Sequence, residues 1–227
     1  MRGFHGGVAV PDAPTVKSAD IWVREGRAMD ADEERFRVYH AAVAGRPPRA
    51  TLLRALAAFE AENRVGFAVD LGAGEGRDAI ALLQRGWSVL AIDSDAMALV
   101  RLRARRDRPL GARLVTLHRS FVDAAWPLAD LVNASFALPL CPPERFGALW
   151  ARLRVSLLPG GRFAGQLYGE RDSWAGRPGL TVHGRDAACA LLAGWTVEMF
   201  EEEETDAVTP RGEAKHWHIF HVVARTP

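Results

Sequence analysis

Apolar positions change their period along the chain. Phe36, Tyr39 and Val43 recur at helical spacing within 32–43, and Leu52, Leu53, Leu56 and Phe59 do so again after Gly45-Arg46-Pro47-Pro48. From Val65 the grammar becomes short apolar runs, Phe67-Ala68-Val69 and Val89-Leu90-Ala91-Ile92, each followed by a helical stretch, 78–85 and 96–106. Further strands are expected at 113–117 and 130–132, then a helix opened by Pro142-Pro143 with Phe146, Leu149, Trp150 and Leu153 on its core face. Leu157-Leu158-Pro159-Gly160-Gly161 predicts a tight turn into a fifth strand over 162–168. A polar loop (169–179), a short helix near 187–192 and two closing strands, 195–200 and 215–224, complete the reading. Strand alternating with helix predicts a doubly wound α/β sheet with helices on both faces. The domain division expected is an N-terminal extension and helical cap over 1–48 and one α/β domain over 49–227.

Composition narrows the classes. The 227 residues are 48% hydrophobic and 25% charged, which excludes global disorder, and the net charge of +1 gives no global field for nucleic acid or an anionic membrane. No stretch approaches the ~20 apolar residues of a spanning helix, and the N-terminus has no secretory pattern, so a cytoplasmic location without membrane contact is expected. Cys141 and Cys189 form no CxxC pair and read as small buried hydrophobes, with no metal site indicated.

The chemistry concentrates after the first strand, at Asp70-Leu71-Gly72-Ala73-Gly74-Glu75-Gly76-Arg77-Asp78. Glycines there let the backbone turn tightly and approach a ligand. In a doubly wound sheet, ligands sit at this carboxyl edge. Arg77 stands where a dinucleotide fingerprint would place its third glycine. Asp70 would repel a pyrophosphate but attract an ammonium. Asp93, twenty-one residues after Gly72, ends the second strand where a carboxylate accepts hydrogen bonds from both ribose hydroxyls. Together these favour S-adenosylmethionine over a nicotinamide cofactor. Short-chain dehydrogenase chemistry is closed, because the residues four beyond Tyr39 and Tyr168 are Val43 and Asp172 rather than lysine.

From about Ala50 to Ala224 the chain resembles the class I S-adenosylmethionine-dependent methyltransferases. Asp70 to Gly76 matches their first motif, Ala91-Ile92-Asp93-Ser94 the second, and Leu157 to Phe163 the proline–glycine–glycine turn before the fifth strand. The continuation Gly76-Arg77-Asp78 resembles the tellurite-resistance-type branch, whose members methylate small molecules or chalcogen oxyanions. The resemblance implies a Rossmann-like seven-stranded sheet in order 3-2-1-4-5-7-6 with the last strand antiparallel. It implies S-adenosyl-L-methionine as cofactor, S-adenosyl-L-homocysteine as product and a small-molecule acceptor. The cofactor set it implies is Asp70, Gly72, Ala73, Gly74, Gly76, Arg77, Asp93, Ser94, Ser120, Phe121, Asp123 and Asn133. Phe121 would cover the adenine face while Asp123 or a backbone group reads the amino group; ordinary core for Phe121 and a turn or cap for Asp123 are the alternatives. Arg77 would reach the methionine carboxylate or be a solvated first-turn side chain.

Asn133-Ala134-Ser135-Phe136 stands where amino-methylating enzymes carry Asn-Pro-Pro-Tyr/Phe. Both prolines are missing, which argues against a DNA-adenine or glutamine methyltransferase and leaves Asn133 on the cofactor side. Tyr168, Asp172, His216 and His218 are candidates for a general base, needed only if the acceptor must lose a proton. Arg171-Asp172-Ser173-Trp174 reads as a lid or as a plain connection. Trp22, Arg24 and Tyr39 read as a cofactor cover or as core packing. The arginines at 101, 103, 105, 106 and 108 are expected to be a solvated helix end, with RNA contact as the rival reading. Glu201 to Glu204 is expected to end an edge strand as a solvated run. A binding protein that keeps the cofactor site without catalysis is the rival from another class.

Overall fold

A computed structural model describes residues 45–209 and 212–227. The expectations for Trp22, Arg24, Tyr39 and the helix over 32–43 lie outside the described residues. The first described helix, α1 (Ala50–Ala61), buries Leu52, Ala55, Leu56 and Phe59, an i, i+3, i+4, i+7 stripe that fixes its inner face. Strands and helices then alternate: β1 (Phe67–Leu71), α2 (Arg77–Gln84), β2 (Ser88–Asp93), α3 (Ala96–Ala104), β3 (Leu114–His118) and β4 (Ala129–Ala134). After a 3-10 turn at Leu138–Leu140 come α4 (Pro143–Val155) and β5 (Leu157–Gly169). The chain closes with β6 (Val182–His183), α5 (Arg185–Leu191), β7 (Thr196–Val208) and β8 (Ala214–Arg225).

The sheet order is β3-β2-β1-β4-β5-β8-β7, with the short β6 added parallel to the end of β5. Counting without β6, this is the expected order, and β8 is antiparallel to both of its neighbours. Each sheet face carries its own core. Ala68, Val89, Ala91 and Leu131 meet α1, α2 and α3 on one side. Val69, Leu71, Val132, Phe163 and Phe220 meet α4 and α5 on the other. Strands covered on both faces read as continuous apolar runs, which is how the start of β1 and most of β2 look in the sequence.

The proline–glycine–glycine segment lies within β5 as an irregularity. Ala129 pairs with Leu157 and Leu131 with Arg162, so the partner strand bulges between them. Arg162 itself is buried, with its guanidinium 2.5 Å from Glu62 and 2.7 Å from Glu198, and it ties the end of α1 to β5 and β7.

Two expectations are corrected. Glu201 to Glu204 does not end its strand: β7 continues to Val208 and pairs with β8 along its whole length. Nor is that run merely solvated, because Glu202 and Glu204 hold Arg171, Arg185, His216 and His218, and Glu203 holds His221. Cross-strand partners supply the stabilisation that apolar alternation supplies elsewhere. Cys141 is buried as expected, but Cys189 is exposed on α5. Among the described residues, no helix is long and apolar enough to cross a membrane.

Candidate active site

The turn from β1 into α2 is built by three left-handed glycines, Gly72, Gly74 and Gly76, at φ +68°, +53° and +80°. At Gly76 the requirement is double. A Cβ there would be strained by the backbone and would also stand 2.0 Å from Leu102 of α3. The amides of Gly72 and Ala73 bond to the carbonyl of Ile92, at 2.8 and 3.1 Å, so the turn is fastened to β2. Asp93 completes the fastening. Its Oδ2 accepts the Gly74 amide at 2.7 Å and its Oδ1 the Asp95 amide at 2.8 Å.

Beneath the turn lies a buried polar group that the sequence only half revealed. Asp70 is 2% exposed, and the Asn133 amide donates to its Oδ1 at 2.8 Å. The same Nδ2 lies 3.2 Å from Asp78 Oδ2, which also accepts the Ser135 hydroxyl at 2.5 Å. Register explains the meeting: Asp70 of β1 sits opposite Asn133 of β4. Asp70 Oδ2 is buried without a hydrogen-bond partner. Loss of water pushes the Asp70 carboxyl well above the usual carboxylate range, and the neighbouring charges of Asp78 and Asp93 push it further. A buried acceptor left in this state is costly unless a donor arrives.

Other expected residues fall around the same edge. Arg77 is anchored through Nε on the Pro47 carbonyl at 2.6 Å. The Ser94 carbonyl receives the His118 ring at 3.1 Å. Ser120 opens a turn, its carbonyl accepting the Asp123 and Ala124 amides at 3.0 and 2.9 Å. Phe121 packs half-buried against the core. Asp123 is exposed and its carboxylate takes the Arg145 guanidinium at 2.6 Å.

The base candidates are drawn together at the end of β5 with their partners already in place. Asp172 is buried in an ion pair with Lys215, and its oxygens also accept the amides of Trp174 and His218. Tyr168 is buried, with the Lys215 ammonium 5.0 Å from its ring centre. His218 is buried; its Nδ1 accepts the Arg171 amide at 3.1 Å, which leaves Nε2–H to donate to Glu202 at 2.8 Å. A side chain at Gly169 would collide with that imidazole. His216 lies on β8, facing Asp206 and Glu204 of the outer strand β7, whose carboxylates raise its pKa. Burial lowers the Lys215 pKa, against the pull of Asp172.

These contacts decide the character of the loop over 169–179. Asp172 binds Lys215, Arg171 binds Glu202 and Glu204, and the Ser173 amide donates to the His216 carbonyl at 3.0 Å. It is a pinned wall of the sheet edge.

Several groups here had no sequence signal. Gln166 accepts the Phe136 amide at 2.9 Å and donates to Thr51 at 2.9 Å, holding Phe136 at φ +56°. Lys215 carries no motif in the sequence, yet it is buried against Asp172. The arginine-rich helix end is largely engaged within the protein: Arg101 with Glu75, Arg103 with Thr116 and Arg105 with Asp107.

Residues 68–161 match a family model described as a methyltransferase domain. Comparison with curated proteins gives no match. Among solved structures, TehB from Haemophilus influenzae superposes with a TM-score of 0.65 at 15% identity, covering 76% of this chain and 61% of that one. The chain therefore spans less than two thirds of the TehB length. The 1,6-didemethyltoxoflavin-N1-methyltransferase of Burkholderia thailandensis, solved with 1,6-didemethyltoxoflavin and S-adenosylhomocysteine, gives 0.59 at 19% identity over 96% of this chain and 93% of that one. The N-methyltransferase NodS from Bradyrhizobium japonicum, in complex with S-adenosyl-L-homocysteine, gives 0.60 at 15% identity over 84% and 98%. The segment from β1 into β5 thus matches a methyltransferase-domain model by sequence, and the described residues have the Rossmann-like fold of these methyltransferase structures.

Proposed function

We propose that this protein is an S-adenosylmethionine-dependent methyltransferase acting on a small molecule. The observation that carries the reading is Asp70 Oδ2, a buried carboxylate oxygen with no partner beside a glycine turn. An α-ammonium supplies both the hydrogen bond and the positive charge that this oxygen lacks, whereas a diphosphate supplies neither. The residues present fit the cofactor at its other end too. A carboxylate offers about four lone-pair sites, and the two backbone bonds at Asp93 leave the rest for a ribose diol.

When bound, the cofactor supplies a methyl group on a positively charged sulfur, open to in-line displacement. The chain's own residues bind and orient. Asn133 holds Asp70 in place and donates from the same Nδ2 to Asp78. Gly72, Ala73, Gly74 and Gly76 bring bare backbone to the ligand. Arg77, already anchored at Pro47, directs its remaining guanidinium nitrogens to the methionine carboxylate. Phe121 covers the adenine, and backbone rather than the Asp123 carboxylate reads its amino group, because Arg145 holds that carboxylate. Burial of the edge by Phe136 and Gln166 excludes water, which strengthens alignment and charge dispersal in the displacement. Asp172 and His218 act as part of the frame of the acceptor side, since their polar atoms are committed to internal partners, with Tyr168 buried beside Lys215. The small-molecule part of the reading is supported by the named substrates of structural neighbours and by the internal pairing of the arginines on α3.

Titration calorimetry with S-adenosylhomocysteine tests the cofactor, and its release during incubation with candidate acceptors tests turnover. Saturable binding with no affinity for NAD is expected. Failure to bind the nucleoside sulfide, or preference for a dinucleotide, overturns the reading.

A further inference from the structure

Two arginines of α4 grip the turn that follows β3. Arg145 and Arg152 are two helical turns apart and project from the same face of the helix. Arg145 takes the Asp123 carboxylate at the surface. The half-buried Arg152 takes backbone instead: its Nη2 donates at 2.9 Å to the carbonyls of both Phe121 and Val122. Its guanidinium lies 4.7 Å over the Trp126 ring, which is itself fixed by a 2.8 Å bond from Nε1 to Ser156. The Asp123 charge reaches Arg152, but that carboxylate is bound by Arg145. Arg152 Nε is buried with no partner, and loss of water lowers the pKa of the side chain. A cation withdrawn from water without a bonded carboxylate costs the fold stability, which directs attention to what it holds.

It holds the direction of two peptide planes. In a trans peptide the C=O and the N–H point opposite ways, and none of the described peptide bonds is cis. With the carbonyls of Phe121 and Val122 turned in to Arg152, the amides of Val122 and Asp123 are turned away from it. The Asp123 amide closes the turn on the Ser120 carbonyl at 3.0 Å. The Val122 amide meets only the Ser120 hydroxyl, at 3.3 Å, longer than the usual spacing of such bonds. It is the loosely held donor of the turn. Register brings that donor to the nucleoside end of the site. His118, the last residue of β3, sits opposite Asp93, and the Arg119 amide bonds to the Asp93 carbonyl at 2.9 Å. A nucleoside with its ribose on Asp93 therefore has this turn beside its base.

We propose that Arg152 is the positioning residue of the base site: its hold on the Phe121 and Val122 carbonyls presents the Val122 amide to N1 of adenine and so sets the choice of base. This rests on the cofactor reading and deepens it. Arg152 touches no ligand itself. Adenine N1 is an unprotonated acceptor, and the amide exchanges its long bond to Ser120 for a bond to that nitrogen.

The experiment uses the full chain and calorimetry with three ligands: S-adenosylhomocysteine, its 1-deaza analogue, in which C–H replaces N1, and its 2′-deoxy analogue. The wild type should prefer S-adenosylhomocysteine to the 1-deaza ligand by about five-fold, the size of one neutral hydrogen bond. Arg152→Met keeps an apolar stem against Trp126 and removes the donors. In that variant the preference should largely vanish, while the preference over the 2′-deoxy ligand, which reports on Asp93, stays at its wild-type value. A merely structural role would weaken all three ligands by one common factor and leave both ratios unchanged. Should Arg152→Met fail to fold, Arg152→Lys is read in the same way, because it keeps the charge and loses the planar group stacked on Trp126; its preference for N1 should be at least halved. A wild type indifferent to N1, or a folded variant with the wild-type preference, overturns the proposal and leaves the cofactor reading standing. A wild type that binds none of the three ligands overturns the cofactor reading, and the proposal with it.

Discussion

Asp93→Ala should weaken nucleoside binding in two separable ways. In the free protein the carboxylate already holds the Gly74 amide at 2.7 Å and the Asp95 amide at 2.8 Å. Hydrogen bonds to a charged group contribute about 1.5–3 kcal/mol each, less where water reaches the abandoned donors. Both amides are at a solvent-facing edge, so loss of the pair should destabilise the fold by about 2–4 kcal/mol, toward the lower end. The ribose contact adds a further loss of about 1.5–3 kcal/mol, a factor of about 10–150 in affinity. A thermodynamic cycle isolates that second part. Calorimetry should show the wild type binding S-adenosylhomocysteine tighter than its 2′-deoxy analogue by about that factor. In Asp93→Ala the two ligands should bind alike, and the weakening common to both then measures the loosened turn. A wild type indifferent to the 2′-hydroxyl, or a folded variant that still discriminates as before, would refute the ribose assignment while leaving the turn fastening untouched.

Three further outcomes follow from the same geometry. Asp70→Asn should bind S-adenosylhomocysteine about 10–150-fold more weakly, because a neutral amide meets the ammonium. Yet the unliganded variant should melt higher at neutral pH. The raised Asp70 pKa means that the unfolded chain gives up its proton first, so wild-type stability falls as pH rises from about 3.9 toward the folded value. Melting curves across that range check the sign, and a variant less stable than wild type throughout would contradict it. Asp172→Ala strands a fully buried ammonium and should cost about 3–5 kcal/mol in denaturant unfolding, while Asp172→Leu with Lys215→Met should recover most of it; no recovery would mean that the pair is not acting as a unit. Glu202 and Glu204 are held at about 2, chiefly by His218 and by Arg171 respectively. Their contribution is therefore present above about 4.3 and lost as pH falls toward 2, whereas that of His216 is present below about 6.5 and lost as pH rises through its raised value. Melting temperature should drop on acidification in the wild type, and the drop should be visibly shallower in Glu202→Gln/Glu204→Gln.

What the sequence disclosed divides along a physical line. The glycine turn, Asp70 and Asp93 are legible because their requirements are local: a bare backbone, a strand end and a fixed spacing lie within about twenty residues. Strands β1 and β2 are legible because burial on both faces writes a short apolar run, Phe67-Ala68-Val69 and Val89-Leu90-Ala91-Ile92. The far end of the sheet obeys a different rule. Beyond Phe200 the side chains of β7 are satisfied by His216, His218 and His221 across the strand pair and by Arg171 and Arg185 from other elements. Nothing in the run Glu201 to Val208 announces a strand, because the partners that make it one are set by register and not by neighbours in the chain. Asp172 and Lys215 show the same limit from the other side. Forty-three residues apart, neither signals the other, and only the closed sheet brings them together as a buried pair. Chemistry that needs a precise backbone is therefore read early. Chemistry that needs two distant strands to agree appears only when the sheet is closed, and in this fold that is the half of the edge built by β5, β8 and β7.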